Sequence, residues 1–225
     1  MNTSGDIYSE VARAIIEWCK LNCDTSLPWR RSSNPWGILL AEVLLRKTTT
    51  RQVAKVYEKV LELFSEPRRL LAASTQEILG AIKPLGMEYK RAVLLKKLAE
   101  HLVEKHSGVV PCKLEDLLEV PGIGEYGASA IMLFACGKRA VLLDTNTSRV
   151  IARVLGLELG RGNPYENEQL VEAAWKLTPL DPSEARVLWL GLLDLGRLVC
   201  KKRNPQCYKC PLKMTCKHAE GEKQN

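Results

Sequence analysis

Four cysteines near the end of the chain constrain it more than any other feature. Cys200-x6-Cys207-x2-Cys210-x5-Cys216 confines four soft sulfur donors to seventeen residues. Such crowding favours a metal centre over a disulfide scaffold, whose cysteines would be spread through a small secreted chain. Four thiolates can surround either a [4Fe-4S] cluster or a structural zinc, and spacing alone does not choose between them. With four protein ligands no position stays open for a substrate, so a structural centre is expected. Cys19, Cys23, Cys112 and Cys136 stand apart and read as buried thiols.

The remainder of the chain reads as all-α. Helical spacing of apolar residues predicts helices over Glu10–Cys23, Trp36–Leu45 and Val53–Phe64, the last with Val53, Val56, Tyr57, Val60, Leu61 and Phe64 on one side. Ser74 with Glu77 three residues later is a capping-box pattern, which opens a helix that Leu85-Gly86 closes. Tyr89–His106 is a basic amphipathic helix whose lysines read as a solvated face. Two apolar segments between Leu114 and Ala135 flank the turn PGIG. Further helices are expected from Asn146 or Thr147 to Gly156, over Glu166–Leu177, and from Asp181-Pro182 to Leu198. That makes about ten helices without strand alternation, and GEKQN reads as a frayed tail.

A length of 225 residues with 46% apolar content supports one domain or two small ones. The formal charge of +7 points towards a polyanionic partner, although a ribosome-associated protein or a membrane-surface binder would also fit. No run reaches 18 apolar residues, and the first residues lack a cleavage-site pattern, so no membrane association and an intracellular location are expected. Lys201, Lys202 and Arg203 lie inside the first cysteine gap. Such cations could contact nucleic-acid phosphates or simply offset the charge of a thiolate centre.

In Leu118-Glu119-Val120-Pro121-Gly122-Ile123-Gly124, two glycines separated by one residue can expose backbone N–H groups at a helix start. That turn is either a cradle for a phosphate oxygen or a plain helix hairpin. Twenty residues on, LLDTNTSRV carries Asp144 and Arg149. Taken with the cysteine spacing, these motifs resemble the helix-hairpin-helix DNA glycosylase superfamily, in the branch of endonuclease III, the adenine glycosylases and the archaeal thymine-DNA mismatch glycosylases. The resemblance covers residues 8–218. It implies a two-domain helix-hairpin-helix fold with a C-terminal [4Fe-4S] loop on Cys200, Cys207, Cys210 and Cys216. One domain would be a six-helix body over 28–135, and the other would join 1–27 to 136–225. Double-stranded DNA carrying a mismatch or base lesion would lie between them, bound by a monomer. A Na+ or K+ ion on hairpin carbonyls is a further implication.

The resemblance also distributes roles. Asp144 matches the catalytic aspartate, which would stabilise the electron-poor sugar formed as the base departs or orient the attacking water. Glu42, in LLAEVLLRKTT, matches the acidic residue that assists base departure. Endonuclease III has a nucleophilic Lys two residues after the last hairpin glycine, where this chain has Tyr126. A phenol forms no Schiff base, so a monofunctional enzyme that leaves an abasic site is expected, with Tyr126 in the base pocket. Gly122, Ile123, Gly124, Arg149 and Lys201–Arg203 would meet DNA, while Lys47 and Met87 would enter the gap left by the flipped base.

Arg46-Lys47-Thr48-Thr49 resembles the stretch in thymine-mismatch enzymes and differs from the glutamines of adenine glycosylases. Leu190 replaces a base-reading Gln of the latter, and an aliphatic group lacks that amide's donor and acceptor. The chain also ends soon after the cysteines, without the additional domain by which adenine glycosylases recognise oxidised guanine. Thymine or uracil opposite guanine is therefore the expected target, ahead of adenine opposite guanine or 8-oxoguanine, and of another damaged pyrimidine. A non-enzymatic DNA-binding protein on the same scaffold is the competing class. A zinc-ribbon or ribosomal module would explain the cysteines but not the helical body.

Overall fold

The computed structural model describes residues 6–221, so GEKQN lies outside them except for Gly221. The described residues are all-α and contain no strand. They form two compact units, one running to Asp24 and resuming at Arg139, the other Thr25–Lys138.

In the chain order, α1 is Ile7–Asn22, α2 Pro28–Arg31, α3 Pro35–Leu45, α4 Thr50–Ala54, α5 Tyr57–Leu63, α6 Pro67–Ala72 and α7 Thr75–Ile82. They are followed by α8 Glu88–His106, α9 Leu114–Glu119, α10 Glu125–Phe134, α11 Thr145–Leu155, α12 Glu168–Leu177, α13 Pro182–Leu198 and α14 Lys217–Gly221. Short 3-10 turns fill Lys83–Leu85, Pro164–Glu166 and Cys207–Lys209. Among the described residues the fourteen α-helices exceed the ten expected because α2, α4, α6 and α14 span only one to two turns each, too short to show a period. Pro28, Pro35, Pro67 and Pro182 each occupy the first helical position, where the missing N–H has no intrahelical acceptor to lose.

The Thr25–Lys138 unit is built around α3. Trp36, Ile38, Leu39, Leu40, Val43 and Leu44 are all buried, so this helix is apolar around its circumference and neighbours cover it. Helices α8 and α10 pack on it directly. Two cations of α8 expected to face solvent instead satisfy carbonyls of other helices. Lys96 Nζ donates to Leu71 O at 2.6 Å and to Ala73 O. The guanidinium of Arg91 is buried and donates to the end of α3.

In the other unit α13 is the central helix, packed by α1 and α11. Its Asp194 is fully buried, which would be unfavourable for a lone carboxylate. Arg197 Nη2 reaches its Oδ1 at 3.1 Å, and the Asp24 N–H donates to Oδ2 at 2.9 Å.

The four earlier cysteines are not thiols. Cys19 is bonded to Cys23 and Cys112 to Cys136. The second bridge joins residues 24 apart, a loop whose closure restricts the unfolded chain by about 3 kcal/mol. Cys112→Ser is therefore expected to lower the free energy of unfolding by that order, which denaturant melts of the variant and the oxidised parent measure. Equal midpoints for the variant and the oxidised parent would show that the bridge contributes nothing.

Candidate active site

Asp144 is the N-cap of α11. Its Oδ1 accepts from the N–H groups of Asn146 and Thr147, both at 2.8 Å, and Oδ2 from Asn146 Nδ2 at 3.3 Å. Thr147 closes a reciprocal capping box, with its Oγ1 accepting from the Asp144 N–H at 2.9 Å and donating to Leu142 O at 2.6 Å. These contacts fix a half-buried carboxylate at the positive end of an eleven-residue helix. The segment leading to it is held by Tyr165, whose hydroxyl donates to Val141 O at 2.8 Å and accepts from the Leu143 N–H at 3.2 Å.

Helix α11 is set against α13 through backbone. A Cβ at Gly196 would stand 2.8 Å from Asn146 Cβ and 2.9 Å from Asn146 O. Gly196→Ala must shift the first turn of α11, which costs about 1–3 kcal/mol by overpacking. Because that turn carries Asp144, we expect any activity of this carboxylate to fall by about tenfold or more even where the protein is fully folded. Unchanged turnover in a folded Gly196→Ala protein would show that the turn tolerates displacement.

Arg149, expected at DNA, is tied to the backbone around it. Its Nε donates to Cys200 O, Nη1 to Thr145 O, and Nη2 to Asn146 Oδ1 and Gly196 O, all at 2.8–2.9 Å. One turn on, Arg153 donates to Lys201 O at 2.7 Å, Lys202 O at 3.2 Å and Cys200 Sγ at 3.4 Å. Sequence reasoning passed over Arg153, whose spacing of four from Arg149 places both on one face of α11. Together they hold the backbone beneath Lys201, Lys202 and Arg203, whose side chains are exposed. Leu190 is half-buried on α13.

The expected metal sites are corrected. Among the described residues no group of three or more His, Cys, Asp or Glu side chains is arranged to hold a metal ion. Cys200, Cys207, Cys210 and Cys216 lie outside both disulfides and line a cavity of about 20 Å³ with Val150, Val154 and Leu212. The Cys216 thiol points to Arg153 O at 3.5 Å, and burial, with the neighbouring cysteines adding to it, pushes Cys210 up to about 11. Cys216 is buried, and Cys200, Cys207 and Cys210 are half-buried. The hairpin cation is corrected with them: Gly122 O accepts from Arg46 Nη1 at 3.1 Å, and Val120 O and Gly124 O accept backbone N–H groups, so these carbonyls serve contacts within the fold.

In the Thr25–Lys138 unit, Glu42 lies half-buried on α3 and Tyr126 half-buried at the second residue of α10. The hairpin Val120–Gly124 joins α9 to α10. Gly122 has φ +84, and a Cβ there would meet Leu94 Cδ1 at 2.7 Å and Arg46 Nη1 at 2.9 Å, so the turn admits no side chain. Ile123 is buried and its N–H donates to Val120 O at 3.0 Å, which makes it a core anchor of the hairpin. Arg46 ties this hairpin to the turn after α3, where Lys47 is exposed. Met87, 50% exposed, is the residue before α8 and lies outside the core. Among the described residues no helix is long and apolar enough to cross a membrane.

Residues 40–177 match the family described as HhH-GPD superfamily base excision DNA repair protein. The chain is 44% identical over 205 residues to the thymine/uracil-DNA glycosylase of Pyrobaculum aerophilum, spanning 91% of this chain and 89% of that protein. It is 42% identical over 204 residues to the thymine-DNA glycosylase of Aeropyrum pernix, spanning 91% and 92%. A solved structure of a thermostable thymine-DNA glycosylase superimposes with a TM-score of 0.89 at 32% identity, covering 96% of this chain and 97% of that one.

Proposed function

The chain belongs to the HhH-GPD superfamily of base excision DNA repair proteins, and from that membership we propose a monofunctional DNA glycosylase that removes thymine or uracil mispaired with guanine. The observation that carries the proposal is the likeness to thymine/uracil-DNA glycosylases along nearly the whole of both chains. Hydrolysis breaks the bond between C1′ of deoxyribose and the base nitrogen. Water supplies the oxygen to C1′ and the departing base takes up a proton.

Asp144 is the group proposed to stabilise the positive charge that develops on the sugar. Its support is a fixed carboxylate whose hydrogen bonds come from its own helix, so it needs no reorganisation during reaction. Glu42 is proposed to protonate or hydrogen-bond the leaving base, and its half-buried place on an otherwise apolar helix supports that role. Tyr126 stands in the first turn after the hairpin and offers no amine to the sugar, so the product is an intact strand with an abasic site. Tyr126 and Leu190 are proposed to shape the base pocket.

The hairpin Gly122–Gly124 and the exposed Lys201, Lys202 and Arg203 are proposed to hold phosphates, with Lys47 and Met87 entering the stack. Binding as a monomer to one lesion in double-stranded DNA completes the proposal. Duplexes carrying G:T, G:U, A:G and A:8-oxoG, with the released base identified by chromatography, test it. Thymine and uracil should appear; release of adenine alone would overturn the assignment.

A further inference from the structure

Lys47 and Met87 each adopt a left-handed backbone, with φ of 53° and 52°. Residues with a Cβ hold that conformation when their surroundings fix it. The two turns meet at one residue, Arg91, whose main chain makes a helical bond to the Met87 turn and whose side chain reaches the Lys47 turn. The Arg91 N–H donates to Met87 O at 3.0 Å, closing the first turn of α8. Its guanidinium, on a residue only 6% exposed, crosses to the end of α3. There Nη1 donates to Val43 O at 2.7 Å and Leu44 O at 3.2 Å, and Nη2 to Arg46 O at 3.1 Å, the carbonyl just before Lys47. Arg46 extends the connection to Gly122 O of the hairpin. Independently, α4, which follows the Lys47 turn, packs against Lys83–Leu85, which precedes Met87.

From this we infer that Arg91 is a positioning residue for base extrusion, fixing the Lys47 and Met87 turns as one rigid pair; the inference rests on the glycosylase reading above. Unstacking a base requires a wedge that does not yield, because a compliant turn would relax sooner than the duplex opens. A guanidinium suits the task because its planar fork reaches three carbonyls at once, whereas an ammonium is a compact point charge. Arg91 is buried, and its assigned effect on the reaction passes through the two turns it holds.

Extrusion can be read apart from chemistry. In an Asp144→Asn background, a G:T duplex with 2-aminopurine beside the thymine brightens when that base leaves the stack. Arg91→Met should lower the fluorescence rise at saturating protein by about tenfold. Affinity for a matched duplex, governed by phosphate contacts, should change by less than about twofold. Arg91→Lys should recover part of the rise. A folded Arg91→Met protein with an undiminished rise, or with an equal loss of matched-duplex binding, overturns the inference. If Arg91→Met does not fold, Arg91→Lys decides, since it keeps the charge without the fork; a full rise there overturns the inference as well. A parent chain that brightens the probe yet releases neither thymine nor uracil would sink the glycosylase reading and leave the role of Arg91 standing.

Discussion

Asp144→Asn slows base release by about 100- to 1000-fold, the loss expected when a fixed electrostatic partner of a charged transition state is removed. The fold should hardly register the change. Asn is as good an N-cap as Asp, and its side-chain oxygen can still accept from the N–H groups of Asn146 and Thr147. Asp144→Ala separates the two roles, since it also removes the cap and should lower stability by about 1 kcal/mol. Single-turnover rates set beside denaturant melts measure both quantities. A normal rate in Asp144→Asn would remove the carboxylate from the chemistry; unfolding would make its role structural.

Tyr126→Lys should convert the chain from an enzyme that leaves strands intact to one that cuts them. An amine in the first turn of α10 could attack C1′ of the sugar, expel the base and form a Schiff base, whose elimination breaks the strand. Borohydride should then trap a covalent protein–DNA band with Tyr126→Lys and none with the parent chain. The lysine must lose its proton before it attacks, so trapping should increase with pH. If the variant releases bases but forms no trapped species, the first turn of α10 does not face the sugar.

Much of the helical body could be read from local chemistry. Ser74 and Glu77 form the expected capping box, with the Ser74 N–H on Glu77 Oε2 at 2.7 Å and the Glu77 N–H on Ser74 Oγ at 3.2 Å. Gly156 ends α11 in a left-handed conformation, as its place in the pattern suggests. Periodicity reports which face is buried, not whether the helix is continuous. Val53, Val56, Tyr57, Val60 and Phe64 are all buried as expected, yet the helix breaks at Lys55-Val56, where N–H groups bond three residues back.

The misreadings share a cause. Arg91 and Lys96 look solvated in a basic amphipathic helix because no local signal reveals carbonyls left open at the ends of other helices. The bracing by Arg149 is hidden for the same reason, since its acceptors at Cys200 and Gly196 are about fifty residues away in sequence. Cysteine spacing records proximity but not the fate of sulfur, and both the disulfides and the thiol-lined cavity depend on tertiary placement. Asp144 is legible as a cap, because an Asp directly before a helix start supplies the side-chain oxygen that the first N–H groups need.

The central claim is hydrolytic release of a mispaired pyrimidine without strand scission. It is tested most directly by single-turnover reaction on a G:T duplex, with each time point divided between neutral quench and hot alkali. Strand breaks that appear only after alkali, at the position of the thymine, are the expected result; breaks in the neutral portion, or no breaks in either, would contradict it.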